Sequence, residues 1–165
     1  MSSSDRRIFL GLMAALPLAA CGFTPAYGPA GPARGMTGQI GIADPSDRDS
    51  FDLVGRLQER LGRSRNPRWQ LGYSISVSRV GLGITSSNAI TRYNVVGIVT
   101  YRLTEVATGR TATKGKVKNF TSYSASGTVI STAASEQDAH ERLMRILADQ
   151  IVTDLIATSA AWAGT

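Results

Sequence analysis

The segment from Trp69 to Val80 alternates without a break. Leu71, Tyr73, Ile75 and Val77 fall on one side of it, and Gln70, Gly72, Ser74, Ser76 and Ser78 on the other. Successive side chains of a strand point to opposite faces, so this period describes a strand with one buried and one polar face. A second segment, Thr91 to Val106, sets Tyr93, Val95, Val99, Tyr101 and Leu103 against Asn94, Val96, Ile98, Thr100 and Arg102. Apolar residues on both of its sides suit a central strand. Ala107-Thr108-Gly109-Arg110 is a tight turn, which joins this strand to the next as an antiparallel hairpin. That next strand, Arg110 to Ser124, carries Lys114, Lys116 and Lys118 on one face and Val117, Thr121 and Tyr123 on the other. Gly81 to Ala89 reads as the loop between the first two strands.

Two amphipathic helices flank these strands. Asp44-Pro45-Ser46-Asp47 is a turn and helix-start signal, after which Leu53, Val54, Leu57 and Leu61 share one helical face. Gly62 is the expected C-cap and Asn66-Pro67 completes the stop. Ser126 to Ala134 reads as a small-residue loop. Ser135 with Asp138 then resembles a capping box. The helix that it opens runs to about Ala157, with Ala139, Leu143, Ile146, Leu147, Ile151 and Leu155 at helical spacing. With a short strand expected over Met36 to Ala43, the order is β-α-β-β-β-α. The expected fold class is α+β: a two-layer sandwich, with a four-stranded sheet and two helices packed on one face. It spans 36–158, and 159–165 is expected to be a flexible tail.

The chain ahead of this domain has a different character. Arg6 and Arg7 precede thirteen uncharged residues, Ile8 to Ala20. That is the length of the apolar region of a signal peptide and too short to span a bilayer. The region ends in Leu18-Ala19-Ala20-Cys21, and Cys21 is the single cysteine of the chain. Small residues followed at once by Cys resemble the bacterial lipobox, whose Cys becomes lipidated and N-terminal after cleavage. Residues 1–20 are therefore expected to be a lipoprotein signal peptide. Arg6-Arg7-Ile8-Phe9-Leu10 also resembles a twin-arginine export signal, and general secretion fits equally well. Residues 21–35 are rich in Pro and Gly and read as a tether, because such a segment forms neither helix nor central strand.

Charge is unevenly placed. The 165 residues carry 18 Lys and Arg against 12 Asp and Glu. The block from 56 to 118 holds twelve basic and two acidic residues, whereas both flanks of the mature chain are net acidic. On one strand face, Lys114 to Lys118 spans about 13 Å, a width that suits an anion with two phosphates. A solvated edge strand guarded by lysines has the same pattern. Nucleic acid is disfavoured as a partner. Few aromatics interleave the basic residues, no nucleic-acid motif is present, and a lipid-anchored envelope protein would seldom meet it.

The sequence offers no catalytic constellation, metal site or cofactor loop. The single His140 lies on the polar side of the last helix and reads as a solvated helix residue. No serine stands in a G-x-S-x-G turn. Gly81-Leu82-Gly83 lacks the third glycine of a dinucleotide loop. Gly109 to Lys116 has the wrong glycine spacing for a phosphate loop and leads into a strand. The chain is not expected to be an enzyme.

CGFTPAYG (Cys21 to Gly28), GLGI (Gly81 to Ile84), the ATGR turn (Ala107 to Arg110), FTSYSAS (Phe120 to Ser126) and ERLMRILADQI (Glu141 to Ile151) stand in an order found in one family. The chain resembles the LPS-assembly lipoprotein LptE family in its alphaproteobacterial form. The resemblance implies an outer-membrane lipoprotein on the periplasmic face, held by its N-terminal lipid anchor. It implies partnership with the LptD barrel and binding of lipopolysaccharide through basic residues near the sheet. On charge, the positions expected to meet lipopolysaccharide are Arg92, Lys114, Lys116 and Lys118. An auxiliary lipoprotein of an ABC-type lipid transporter is the alternative, and an envelope hydrolase a distant third.

Overall fold

The computed structural model describes residues 28, 31, 35–84 and 90–163. The signal segment, Cys21 and most of the tether lie outside the described residues. The elements follow the order β1 (Ile40–Ile42), α1 (Arg48–Leu61), β2 (Trp69–Ile84), β3 (Ile90–Glu105), β4 (Thr111–Ser124) and α2 (Val129–Trp162). The sheet order is β1-β2-β3-β4. β1 runs parallel to β2, and the other two pairings are antiparallel. The expected α+β arrangement is the one observed.

Local chemistry explains the limits of α1. Asp47 is its N-cap: the carboxylate accepts the Ser50 N–H at 2.8 Å, and the Ser50 hydroxyl oxygen accepts the Asp47 N–H at 2.9 Å. The bond from the Ser50 backbone N–H, first among the causes, holds the Asp47 carboxyl below its ordinary pKa. At the other end Gly62 takes φ +77°, a left-handed conformation natural to glycine, and donates to the Gln58 carbonyl at 2.9 Å. The Gly38 N–H donates to the Leu61 carbonyl at 2.8 Å, which ties the helix end to the entry of β1.

α2 is longer than its sequence signals suggested. It begins at Val129, where the Thr128 hydroxyl accepts the Ser131 N–H at 3.2 Å. Ser135 is no cap; it lies inside the helix with its hydroxyl donating to the Ser131 carbonyl at 2.9 Å. At the far end the helix continues through Trp162, across the stretch expected to be a tail. Trp162 is buried and packs edge-to-face on Trp69 at 5.1 Å between ring centroids. β2 likewise runs on to Ile84: past Val77 the apolar residues change to the even, open face, but Val80 and Leu82 stay paired with Asn94 and Arg92.

The core lies between the sheet and the helices. Val95, Val99, Leu103 and Val117 from the strands meet Leu143, Leu147, Ile151 and Leu155 from α2, while Leu53, Leu57 and Leu61 of α1 close the layer. α2 rests directly on β3 and β4. Gly97 makes this possible: a Cβ there would stand 2.8 Å from Leu147 Cδ1 and 3.0 Å from Leu143 Cδ2. The buried Thr121 hydroxyl donates to the Ala139 carbonyl at 2.7 Å, a second tie between β4 and α2. Ion pairs join the helices on their outer side, with Arg56 and Arg60 both 3.0 Å from Asp149. His140 belongs to this seam. Its Nδ1 lies 3.0 Å from Asp49 Oδ1, so the residue expected to be solvated links α2 to α1 instead.

Candidate functional site

All the odd-numbered core positions of β3 turn toward the helices, which leaves the even-numbered positions on an uncovered face. The register arranges that face in rows: Gly72, Arg102 and Lys114; then Ser74, Thr100 and Lys116; then Ser76, Ile98 and Lys118; then Ser78, Val96 and Phe120. Arg102 and the three lysines form one basic cluster. Arg102 directly faces Lys114, and like charges set opposite each other in a sheet are destabilising. No ion pair relieves them. Among the described residues, none of these four cations is paired with a carboxylate. The basic groups of the helix layer differ: Arg142 bonds Asp138 at 2.9 Å, and Arg79 bonds Glu136 at 2.9 Å. The open sheet face thus gathers four such cations in one cluster.

A hairpin irregularity makes the cluster. Thr104 pairs with Thr111, but Leu103 pairs with Thr113, so Ala112 is an extra residue in β4. Beyond this bulge Arg102 and Lys114 share a face. The cluster surrounds a shallow depression of about 440 Å³, lined by Gly72, Ser74, Thr100, Arg102, Lys114 and Lys116 among others. Its floor is low because Gly72 carries no side chain.

Below the cluster, on the helix side, the Tyr101 ring lies over Gly115. A Cβ at 115 would stand 2.6 Å from Tyr101 Cζ, so only glycine admits the ring. The Tyr101 hydroxyl donates to Asp154 Oδ2 at 3.3 Å. Burial, reinforced by the Asp154 charge, pushes the Tyr101 phenol up to about 12. The folded chain thus holds this proton more tightly than an unfolded chain, whose phenol titrates near 10.0. That stabilising share is complete below pH 10 and is lost as pH rises toward 12. In Tyr101→Phe this part of the alkaline loss should vanish, seen as a smaller fall in melting temperature over that range.

Toward the other end of the face the cluster gives way to apolar groups. Phe120 is 58% exposed, Val80 47% and Leu82 40%, with Val96 and Ile98 half-buried beside them. Arg92 stands past this band, paired across to Ser124. It is six residues along β4 from Lys118, about 20 Å. Of the four cations expected at the site, the structure brings together Lys114, Lys116 and Lys118, and sets Arg92 apart. Arg102 takes the place beside them. No signal in the residues alone could have found it, because the Ala112 bulge decides which face of β3 lies beside the lysines.

No group of His, Cys, Asp and Glu among the described residues is placed to hold a metal ion. No described helix is long and apolar enough to cross a membrane. The open face sets four exposed cations beside an exposed apolar band.

Comparison with known proteins gives this surface its setting. No curated protein gives a significant match. A putative lipoprotein from Caulobacter crescentus superposes with a TM-score of 0.66 at 21% identity, covering 81% of this chain and 98% of that one. The rare lipoprotein B from Shewanella oneidensis gives 0.57 at 14% identity, over 73% and 93%. A minor lipoprotein from Acinetobacter baumannii gives 0.58 at 19%, over 73% and 94%. At these identities the likeness is one of fold. The model of the LptE family, described as lipopolysaccharide-assembly, matches residues 37–155, which takes in every element from β1 to the body of α2. With that match across the whole two-layer domain, the chain belongs to the LptE family, lipoproteins of lipopolysaccharide assembly and not enzymes.

Proposed function

We propose that the protein sits at the periplasmic face of the outer membrane, held by lipid on Cys21. There it partners an LptD-like barrel and binds lipopolysaccharide on the open face of its sheet. The observation that carries the reading is the cluster of Arg102, Lys114, Lys116 and Lys118, unpaired and adjoining an exposed apolar band. Lipopolysaccharide has the matching halves. Its phosphates suit the cations through charge-assisted hydrogen bonds. Its acyl chains suit Phe120, Val80 and Leu82, whose apolar surface is otherwise left in water. Arg92, beyond the band, would meet a separate part of the ligand. The polar Ser74, Ser76 and Ser78 row also suits the water-filled interior of a large barrel.

Purification of the full-length chain from detergent-extracted membranes tests the partnership. A large β-barrel protein should remain bound through washing. Recovery of an inner-membrane ATPase complex instead would overturn the reading and favour an auxiliary lipoprotein of a lipid transporter.

A further inference from the structure

β4 ends the sheet, so among the described residues one of its sides has no neighbouring strand. The pattern of its hydrogen bonds shows which groups that leaves over. The Ala125 N–H donates to the Thr91 carbonyl at 2.8 Å. From that pair the register steps by two, so Tyr123, Thr121, Asn119, Val117 and Gly115 exchange bonds with β3. The N–H and C=O groups of Lys114, Lys116, Lys118, Phe120 and Ser122 therefore point to the open edge. Near Ser124 the chain closes this edge itself. Asn119 Oδ1 accepts the Phe120 N–H at 2.8 Å, and Arg142 Nη2 donates to the Ser122 carbonyl at 3.4 Å. From Lys114 to Lys118 no such cap is present among the described residues.

A groove of about 550 Å³ runs beside the uncapped stretch, between β4 and α2. It is lined by Val117, Ile146, Gln150 and Thr153, with the carboxylates of Asp149 and Asp154. Gln150 Oε1 is buried and has no hydrogen-bond partner. A buried acceptor without a donor is destabilising, and a side chain entering the groove could supply one.

We infer that Lys114–Lys118 is a strand-addition site, which takes an acidic extended segment of a partner protein as a fifth strand of the sheet. Main-chain hydrogen bonds would hold the segment, and its alternate side chains would be read on the two faces. On the open face, every second residue meets Lys114, Lys116 or Lys118, which calls for carboxylates. On the helix face, the residues between enter the groove against Val117, Ile146 and Gln150, which calls for small hydroxyl or aliphatic groups. A second copy of β4 is a poor occupant, since it would set lysine against lysine across the strands. The site uses the backbone edge and does not depend on lipopolysaccharide binding.

The test uses the full mature chain in detergent and a nine-residue synthetic peptide, with Glu at alternate positions and Thr and Val between. Amide exchange at 114, 116 and 118 should slow when this peptide is added, and not with its Lys-for-Glu counterpart. Unchanged exchange at those amides would overturn the proposal. Two substitutions then separate backbone from charge. Lys116→Gln removes charge alone and should weaken the peptide less than about threefold, whereas Lys116→Pro also removes the edge N–H and should weaken it about tenfold. Equal losses in the two would also overturn the proposal, because charge alone would then explain the attraction. Amide protection in β2 and β3 reports whether each variant is folded, and the exchange result on the parent chain stands without either.

Discussion

Leu147→Ala is expected to cost the fold about 2–5 kcal/mol, measured by denaturant unfolding. Leu147 is fully buried, and its Cδ1 sits against the bare backbone of Gly97. Gly97→Ala inserts a methyl into the same contact and should itself cost about 1–3 kcal/mol by overpacking. The two changes are complementary: the new methyl at 97 occupies part of the space that Leu147→Ala vacates. The double variant should therefore be less destabilised than the sum of the single ones. Simple additivity would mean that α2 does not rest on β3 at this point.

This contact marks the boundary of what could be read from residues alone. The strict alternation of Trp69 to Val80 identified β2, since a two-residue period has a single geometric meaning. The apolar spacing of Leu53, Leu57 and Leu61 did the same for α1. Gly97, in contrast, reads only as a weak point within a strand, and its purpose is visible once Leu143 and Leu147 lie across it. The start of α2 was missed for a related reason. Ser135 and Asp138 have the composition of a cap, but a serine inside a helix can bond the carbonyl one turn back, and Ser135 does so. The long reach of β2 was hidden by Gly81 and Gly83, which suggest a loop although the backbone there remains paired to β3. For the site, the lysine stripe was legible as a period of two. The partners of the stripe depended on the Ala112 bulge, which sets the register of the whole hairpin past the turn. Arg92 and Arg102 have equal charge in the sequence, and only that register separates them.

Cys21→Ser is expected to abolish membrane retention of the mature chain. The lipobox reading makes Cys21 the site of acylation, and each buried methylene of an acyl chain contributes about 0.8 kcal/mol of membrane affinity. Without the thiol neither lipid attachment nor lipoprotein cleavage can occur. The variant should therefore appear uncleaved, or else soluble in the periplasm. A processed form that still sediments with membranes would show that the anchor lies elsewhere.

The domain joins two surfaces of different character. On the helix side cations and carboxylates are largely matched, as in the Arg56, Arg60 and Asp149 cluster and the His140 to Asp49 link. On the sheet side four cations stand together without counter-charge. Matched charges settle how helices pack; unmatched ones on a rigid sheet are available to an anionic ligand.

Binding of lipopolysaccharide to this open face can be read from affinities. The affinity of the mature chain for purified lipopolysaccharide is compared with that of the variant in which Arg102, Lys114, Lys116 and Lys118 are all changed to Gln. At low salt the variant should bind at least about tenfold more weakly, with a melting temperature no lower than the parent's, and the difference should shrink as salt is raised. Equal affinity of the two proteins at low salt would contradict the account and remove the sheet face from the site.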